Sequence, residues 1–271
     1  MPTSRSPSRA PKPAPAPSRS YRPLVLIGLA AVLAVIVATL PASVVARFLP
    51  ASVHAEDFSG SIWHGSAGKI SVNARDAGAI EWWLHPLPLL GMTVAADLHW
   101  VKASFVADAA VKIDRRGVAA QALKGGGPIE DLRDFGVAPE WRGIAELNFS
   151  ALKFEFTRLV PVAAVGDVRV SNLASSQFAG GADLGGYDLS FPAGAVGADG
   201  NVTATLNDTG GPLDLQATVH YTATDRTGLL SGSLKERAGA PPALLSQIND
   251  ISQLRGRDPQ GRVPVDLELT L

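Results

Sequence analysis

The chain has 271 residues, 46% hydrophobic and 18% charged, with 24 Lys and Arg against 25 Asp and Glu. It contains no cysteine, which excludes disulfides, thiolate metal sites, thiol redox chemistry and cysteine nucleophiles. Setting aside the five basic residues nearest the N-terminus leaves 19 basic against 25 acidic side chains, so no nucleic-acid partner is expected.

Residues 1–22 combine Pro, Ser and Ala with Arg5, Arg9, Lys12, Arg19 and Arg22 and carry almost nothing to bury. Such a segment cannot offset the entropy of being ordered, and it is expected to be a disordered basic tail. Residues 23–46 follow without a charge, and 24–38 are continuous hydrocarbon apart from Gly28. At about 1.5 Å per residue this run is just long enough to cross a bilayer core of roughly 30 Å as one helix. Basic residues before it and none of opposite sign place the N-terminus in the cytoplasm. A cleaved signal peptide is the rival reading, since Val44-Val45-Ala46 offers small residues near the exit. The apolar run exceeds the roughly 7–15 residues of a signal core, which favours an uncleaved signal-anchor.

Residues 47–271 then form an exported, periplasmic domain. Its texture is short runs of alternating apolar and polar residues, broken about every ten residues by Gly, Asn, Asp or Pro, as in an all-β domain. Strands are expected at 58–64, 69–73, 79–84, 92–100, 104–113, 118–123, 144–154, 168–173, 187–191, 201–206, 213–221, 229–235 and 263–271. In 201–206, Val202, Ala204 and Leu206 share one face and Asn201, Thr203 and Thr205 the other, the pattern of an antiparallel sheet with one covered face. Short helices are expected at 128–135 and at 243–254, the latter with Leu244, Ile248, Ile251 and Leu254 along one stripe. Gly125-Gly126-Gly127-Pro128 reads as a hinge between two strand sets. The expected fold is mainly β: an elongated, curved antiparallel sheet with one or two short helices, behind a single membrane helix.

Residues that carry chemistry are sparse. His54, His64, His85, His99 and His220 are scattered, with no pair at the spacing of a helical metal motif. Neither a nucleophile elbow nor a phosphate-binding glycine loop occurs. No catalytic residue, cofactor or metal is expected. The notable cluster is aromatic: Trp63 in Ser59-Gly60-Ser61-Ile62-Trp63-His64-Gly65, then Trp82 and Trp83 in Gly78-Ala79-Ile80-Glu81-Trp82-Trp83-Leu84-His85-Pro86 and onward to Gly91. A tryptophan flanked by glycines suits a large ring lying over bare backbone. Trp63 and Trp82 read as core anchors. Trp83, one residue on, points to the opposite face and is open to a partner or lipid.

At these residues the chain resembles the type II secretion system protein N family of Gram-negative bacteria. Leu40-Pro41-Ala42, residues 59–65 and residues 78–91 carry the likeness. So do Gly166-Asp167-Val168-Arg169-Val170, Gly211-Pro212-Leu213-Asp214-Leu215 and Leu254-Arg255-Gly256-Arg257-Asp258-Pro259-Gln260-Gly261-Arg262. His64 and residues 171–186 depart from the family pattern. The resemblance implies a non-catalytic, inner-membrane accessory component of type II secretion, with other inner-membrane and periplasmic subunits as partners. A different class stays open beside it: a membrane-anchored groove that binds or shuttles lipid.

Overall fold

A computed structural model describes residues 28, 29, 31, 32, 35–157, 160–225 and 227–270. The chain divides into two compact units, Met1–Leu40 and Pro41–Leu271. In the first, residues 28, 29, 31, 32 and 35–38 are helical, and the Thr39 hydroxyl donates to the Val35 carbonyl at 2.8 Å. The expected tail at 1–22 and residues 23–27, 30, 33 and 34 of the expected span lie outside the described residues. Among the described residues no helix is long and apolar enough to cross a membrane.

Among the described residues of the second unit, thirteen strands form a single antiparallel sheet in which every strand pairs with its neighbours in sequence. They are β1 (Val53–Gly60), β2 (His64–Val72), β3 (Arg75–His85), β4 (Val94–Lys102), β5 (Phe105–Ile113), β6 (Gly117–Pro128), β7 (Trp141–Glu155), β8 (Val160–Ser175), β9 (Gly186–Phe191), β10 (Val202–Gly210), β11 (Leu213–Thr222), β12 (Thr227–Glu236) and β13 (Val263–Thr270). At about 4.8 Å per strand the sheet runs for roughly 58 Å along its hydrogen-bonding direction. Direct partners share a face, and one row crosses all of it: Phe58, Ala67, Ile80, Trp100, Ala107, Gly125, Leu147, Val168, Leu189, Leu206, Ala217, Gly232 and Val265. Every member is apolar or glycine. The period-2 pattern therefore keeps this row on one face from first strand to last despite register shifts in four of the strand pairs, and the opposite face carries residues such as the exposed Thr203, Thr205 and Asn207.

The two ends of the strands differ. At one end the connections contain helical segments, Ile129–Phe135 between β6 and β7, Ala179–Gly181 between β8 and β9, and Pro242–Arg255 between β12 and β13. They fold over the apolar face and plug it. Leu244 and Ile248 of the last helix are 0% and 1% exposed against Leu184, Tyr187, Leu213 and Val263, worth about 1.5–3 kcal/mol each in burial. Ile129 packs on Phe105, Ala107 and Ala145. The opposite end carries the connections after β1, β3, β5, β7, β9 and β11 and is uncapped apart from the four-residue helix Pro86–Leu89 between β3 and β4, while the β2–β3, β4–β5 and β10–β11 hairpins share the capped end.

Three expectations need correction. Residues 42–46 do not continue a membrane helix: Pro41 bridges Ser61, and Ala42–Phe48 is a 3-10 segment lying against β1 and β2. A proline removes the N–H that a continuing helix needs and disfavours helical backbone just before it. Residues 125–128 are no hinge but the end of β6, paired with 144–147 of β7. A Cβ on Gly125 would come within 2.7 Å of the Ala107 Cβ, so close strand approach explains the glycine. Leu254 leaves the expected helical stripe and is 88% exposed.

Candidate functional site

Trp82, in the middle of β3, is 9% exposed and packs with the buried Ala42 and Ala67. Its indole N–H donates to the Ile62 carbonyl at 3.0 Å, and Phe58 meets it edge to face at 6.5 Å. Gly65 lies directly beneath. A Cβ there would sit 2.6 Å from the Ser61 oxygen, 2.7 Å from Trp82 Cζ2 and 2.9 Å from the Ala42 Cβ, so only a glycine lets the ring lie on β2. Trp63 lies in the β1–β2 turn rather than on the expected strand, because β1 stops at Gly60. Its carbonyl accepts from the Leu84 N–H at 2.7 Å and its own N–H donates to Ser61 Oγ at 3.3 Å, tying the turn to β3.

Trp83 projects from the other face. It is 52% exposed and stacks on His64 with ring centroids 3.7 Å apart and planes 16° from parallel. Farther along that face His85 Nε2 meets Asp97 at 3.0 Å and His99 Nδ1 meets Asp108 at 2.7 Å. Each pair spans neighbouring strands. Among the described residues no group of three or more His, Asp and Glu could hold a metal ion. The structure thus ties the Trp82 indole to the turn that holds Trp63, through the Ile62 carbonyl, and sets Trp83 on the opposite face of β3 from Trp82.

Sequence reasoning missed the buried charges. Lys102, at the capped end of β4, is 6% exposed. Its ammonium donates to Asp134 at 2.6 Å and to the carboxylate and backbone oxygen of Asp76, and lies 5.6 Å from the Phe135 ring centroid. Burial opposes this charge, yet the bonds to Asp134 and Asp76 outweigh it and raise the pKa above the usual lysine value. Asp76 is held low by the Gly78 N–H and then by Lys102. The lysine therefore fastens the Ile129–Phe135 segment to the sheet.

The later stretches of the sequence resemblance meet one another. Arg262 Nη1 donates to Asp214 Oδ2 at 2.9 Å and Nη2 to Oδ1 at 3.2 Å, while Nε donates to Ser233 Oγ at 2.8 Å. The side-chain bond from Arg262 holds Asp214 below the usual carboxylate range, and Arg257 does the same for Glu236 from 2.9 Å. Asp208, its carboxylate only 8% exposed, meets Arg237 at 2.7 Å. Tyr187, pushed up to about 12 chiefly by burial, donates to the Leu184 carbonyl at 3.0 Å. Gly166 lacks the Cβ that would come 2.8 Å from Phe149 Cδ1, and Phe149 and Phe191 meet beside it at 5.5 Å. The model of type II secretion system (T2SS), protein N, matches residues 51–266, most of the chain.

The chain belongs to the type II secretion system protein N family. No curated protein and no solved structure matches it. The protein N family is one of structural or assembly components rather than a known enzyme family, and membership implies contact with other type II secretion subunits. Residues of the stretches that carry the sequence resemblance hold strands together: Gly65 under Trp82, Gly166 beside Phe149, Asp214 on Arg262.

Proposed function

We propose that the protein is an inner-membrane-anchored accessory component of type II secretion, with its basic tail in the cytoplasm and its β unit in the periplasm. It supports export of folded proteins across the outer membrane by offering a shaped surface to other inner-membrane and periplasmic subunits. The observations that support this reading are the match of residues 51–266 to the protein N family and the Trp83–His64 stack on the exposed face, a surface open to another subunit. Trp63 and Trp82 act as anchors of the membrane-proximal strands, and Trp83 with His64 is the exposed partner contact. A chromosomal deletion complemented by the intact gene or by Trp83→Ala tests it, reading secreted protein, abundance of this chain and cross-linking at position 83 together. Loss of secretion and cross-links at normal abundance supports the contact. Unchanged secretion in the deletion strain counts against the role.

A second reading is supported by the apolar face beyond the plugs. Ile113, Phe154 and Leu267 lie on that face toward the uncapped end and are 41%, 37% and 55% exposed. A face of this kind can hold an acyl chain, and the protein then binds or shuttles lipid. Mass spectrometry of lipid retained through purification, compared between the intact protein and Phe154→Glu, distinguishes the two readings.

A further inference from the structure

The uncapped end of β3 to β8 concentrates two kinds of exposed side chain. The connection between β3 and β4 presents Leu87, Leu90 and Met92 at 77%, 87% and 68% exposure. Two strands on, about 10 Å away, the β5–β6 turn presents Arg115 and Arg116. The Arg115 guanidinium lies 2.9 Å from the Met92 sulfur, so cation and apolar loop are side by side. Lys112 and Lys153 face the same end, against Asp114 and Glu155. Asp114 is occupied within its own turn by the Arg116 and Gly117 N–H groups at 2.8 and 3.0 Å. Pro41, the first residue of the β unit, bridges Ser61 in the β1–β2 turn at this same end of the strands. At the capped end the Ile129–Phe135 segment carries Glu130, Asp131 and Asp134 beside Arg133, the arginines of the last connection are held in ion pairs, and Phe48, Phe135 and Leu254 are exposed on separate segments.

We propose that this uncapped end is a bilayer-docking surface for anionic phospholipid. The 86–93 connection, which begins with the short helix Pro86–Leu89, inserts its leucines and methionine at the headgroup boundary while Arg115 and Arg116 reach the phosphates. Apolar insertion beside basic side chains is how interfacial segments bind, and each cation near an anionic surface adds attraction. The inference goes beyond anchoring: it fixes which end of the sheet meets the membrane and sends the plugged end, with the carboxylates of the Ile129–Phe135 segment, away from it.

The absence of cysteine makes a single introduced thiol a unique label, and two exposed leucines form a matched pair, Leu90 at 87% and Leu254 at 88%. Full-length Leu90→Cys and Leu254→Cys, each carrying a fluorophore, are reconstituted in nanodiscs of phosphatidylcholine with or without phosphatidylglycerol and a nitroxide-bearing lipid. The expected result is several-fold stronger quenching at position 90 than at 254, increased by phosphatidylglycerol and reduced by Arg115→Glu with Arg116→Glu. Equal quenching at the two positions overturns the docking surface, and quenching at 90 that ignores both lipid charge and the double reversal overturns the headgroup contact. Failure to co-purify with discs counts against the membrane anchor, and vesicles of the same lipids added to the labelled protein then read the surface separately.

Discussion

Arg262 reaches across β12 to grip Asp214 on β11, with paired contacts of 2.9 and 3.2 Å, and touches Ser233 of the intervening strand on the way. One side chain at the start of the last strand thereby clamps three strands. A planar guanidinium makes this pairing and an ammonium does not.

Asp214→Asn should cost about 1.5–3 kcal/mol at neutral pH, the scale of hydrogen bonds to charged groups. Arg262 depresses the folded-state pKa of Asp214, so the stabilisation is complete above the ordinary carboxylate pKa and is lost as pH falls through the lower folded value. Urea melts at a series of pH values should show wild type and Asp214→Asn far apart at pH 7 and converging in acid. A constant gap down to the lowest pH contradicts the assignment.

Trp82→Ala removes a buried ring and should destabilise by about 3–5 kcal/mol, a large share of the roughly 5–15 kcal/mol a domain has. Trp83→Ala, on the exposed face, should melt within about 0.5 kcal/mol of wild type. Thermal unfolding of the two variants side by side separates the faces; equal losses would place both rings in the core.

Gly65→Ala inserts a methyl where Ser61, Trp82 and Ala42 leave no room, and overpacking of this kind costs about 1–3 kcal/mol. Combining it with Trp82→Phe should recover part of the loss, because the Cζ2 atom it strikes is gone. A double mutant no better than the sum of the singles shows that the clash with Ser61 dominates.

Lys102→Met deletes the cation that links Asp76 on β3 to Asp134 on the Ile129–Phe135 segment. Hydrogen exchange should speed up over residues 129–135 by at least tenfold while the amides of β10 to β12 keep their protection. Uniform acceleration across the sheet would show that the lysine supports the whole fold rather than one plug.

The strands were legible because one face is covered and the other wet: in β10, Ala204 is 1% exposed between exposed Thr203 and Thr205. β7 and β8 outran their expected lengths because irregular register near Arg142, Phe149 and Lys153 breaks the alternation that marks a strand. Glycine has no apolar signal, so Gly125 to Gly127 read as a break although they continue β6. Ala42 to Ala46 are as suited to packing on a sheet as to lipid, and only Pro41 hinted at the boundary. Of the candidate site, the opposite directions of Trp82 and Trp83 followed from their being adjacent. Lys102 left no trace, since one lysine in a strand reads as solvated, and Asp214 with Arg262, 48 residues apart, was foreshadowed only as two separate stretches of family likeness.

Because each strand pairs only with the ones before and after it, the sheet can be laid down in the order in which the chain arrives, with no early strand waiting for a late one. Every unfinished stage then ends in a raw strand edge, an open invitation to stray pairing. The final strand closes that vulnerability: Pro264 has no N–H to offer along the edge, and Arg255 covers the Asp266 carbonyl at 3.3 Å. The edge is finished by the same stretch that supplies the last plug, so a chain interrupted before Pro242 would keep the Ile129–Phe135 and Ala179–Gly181 plugs but lose the third and end on a bare strand edge.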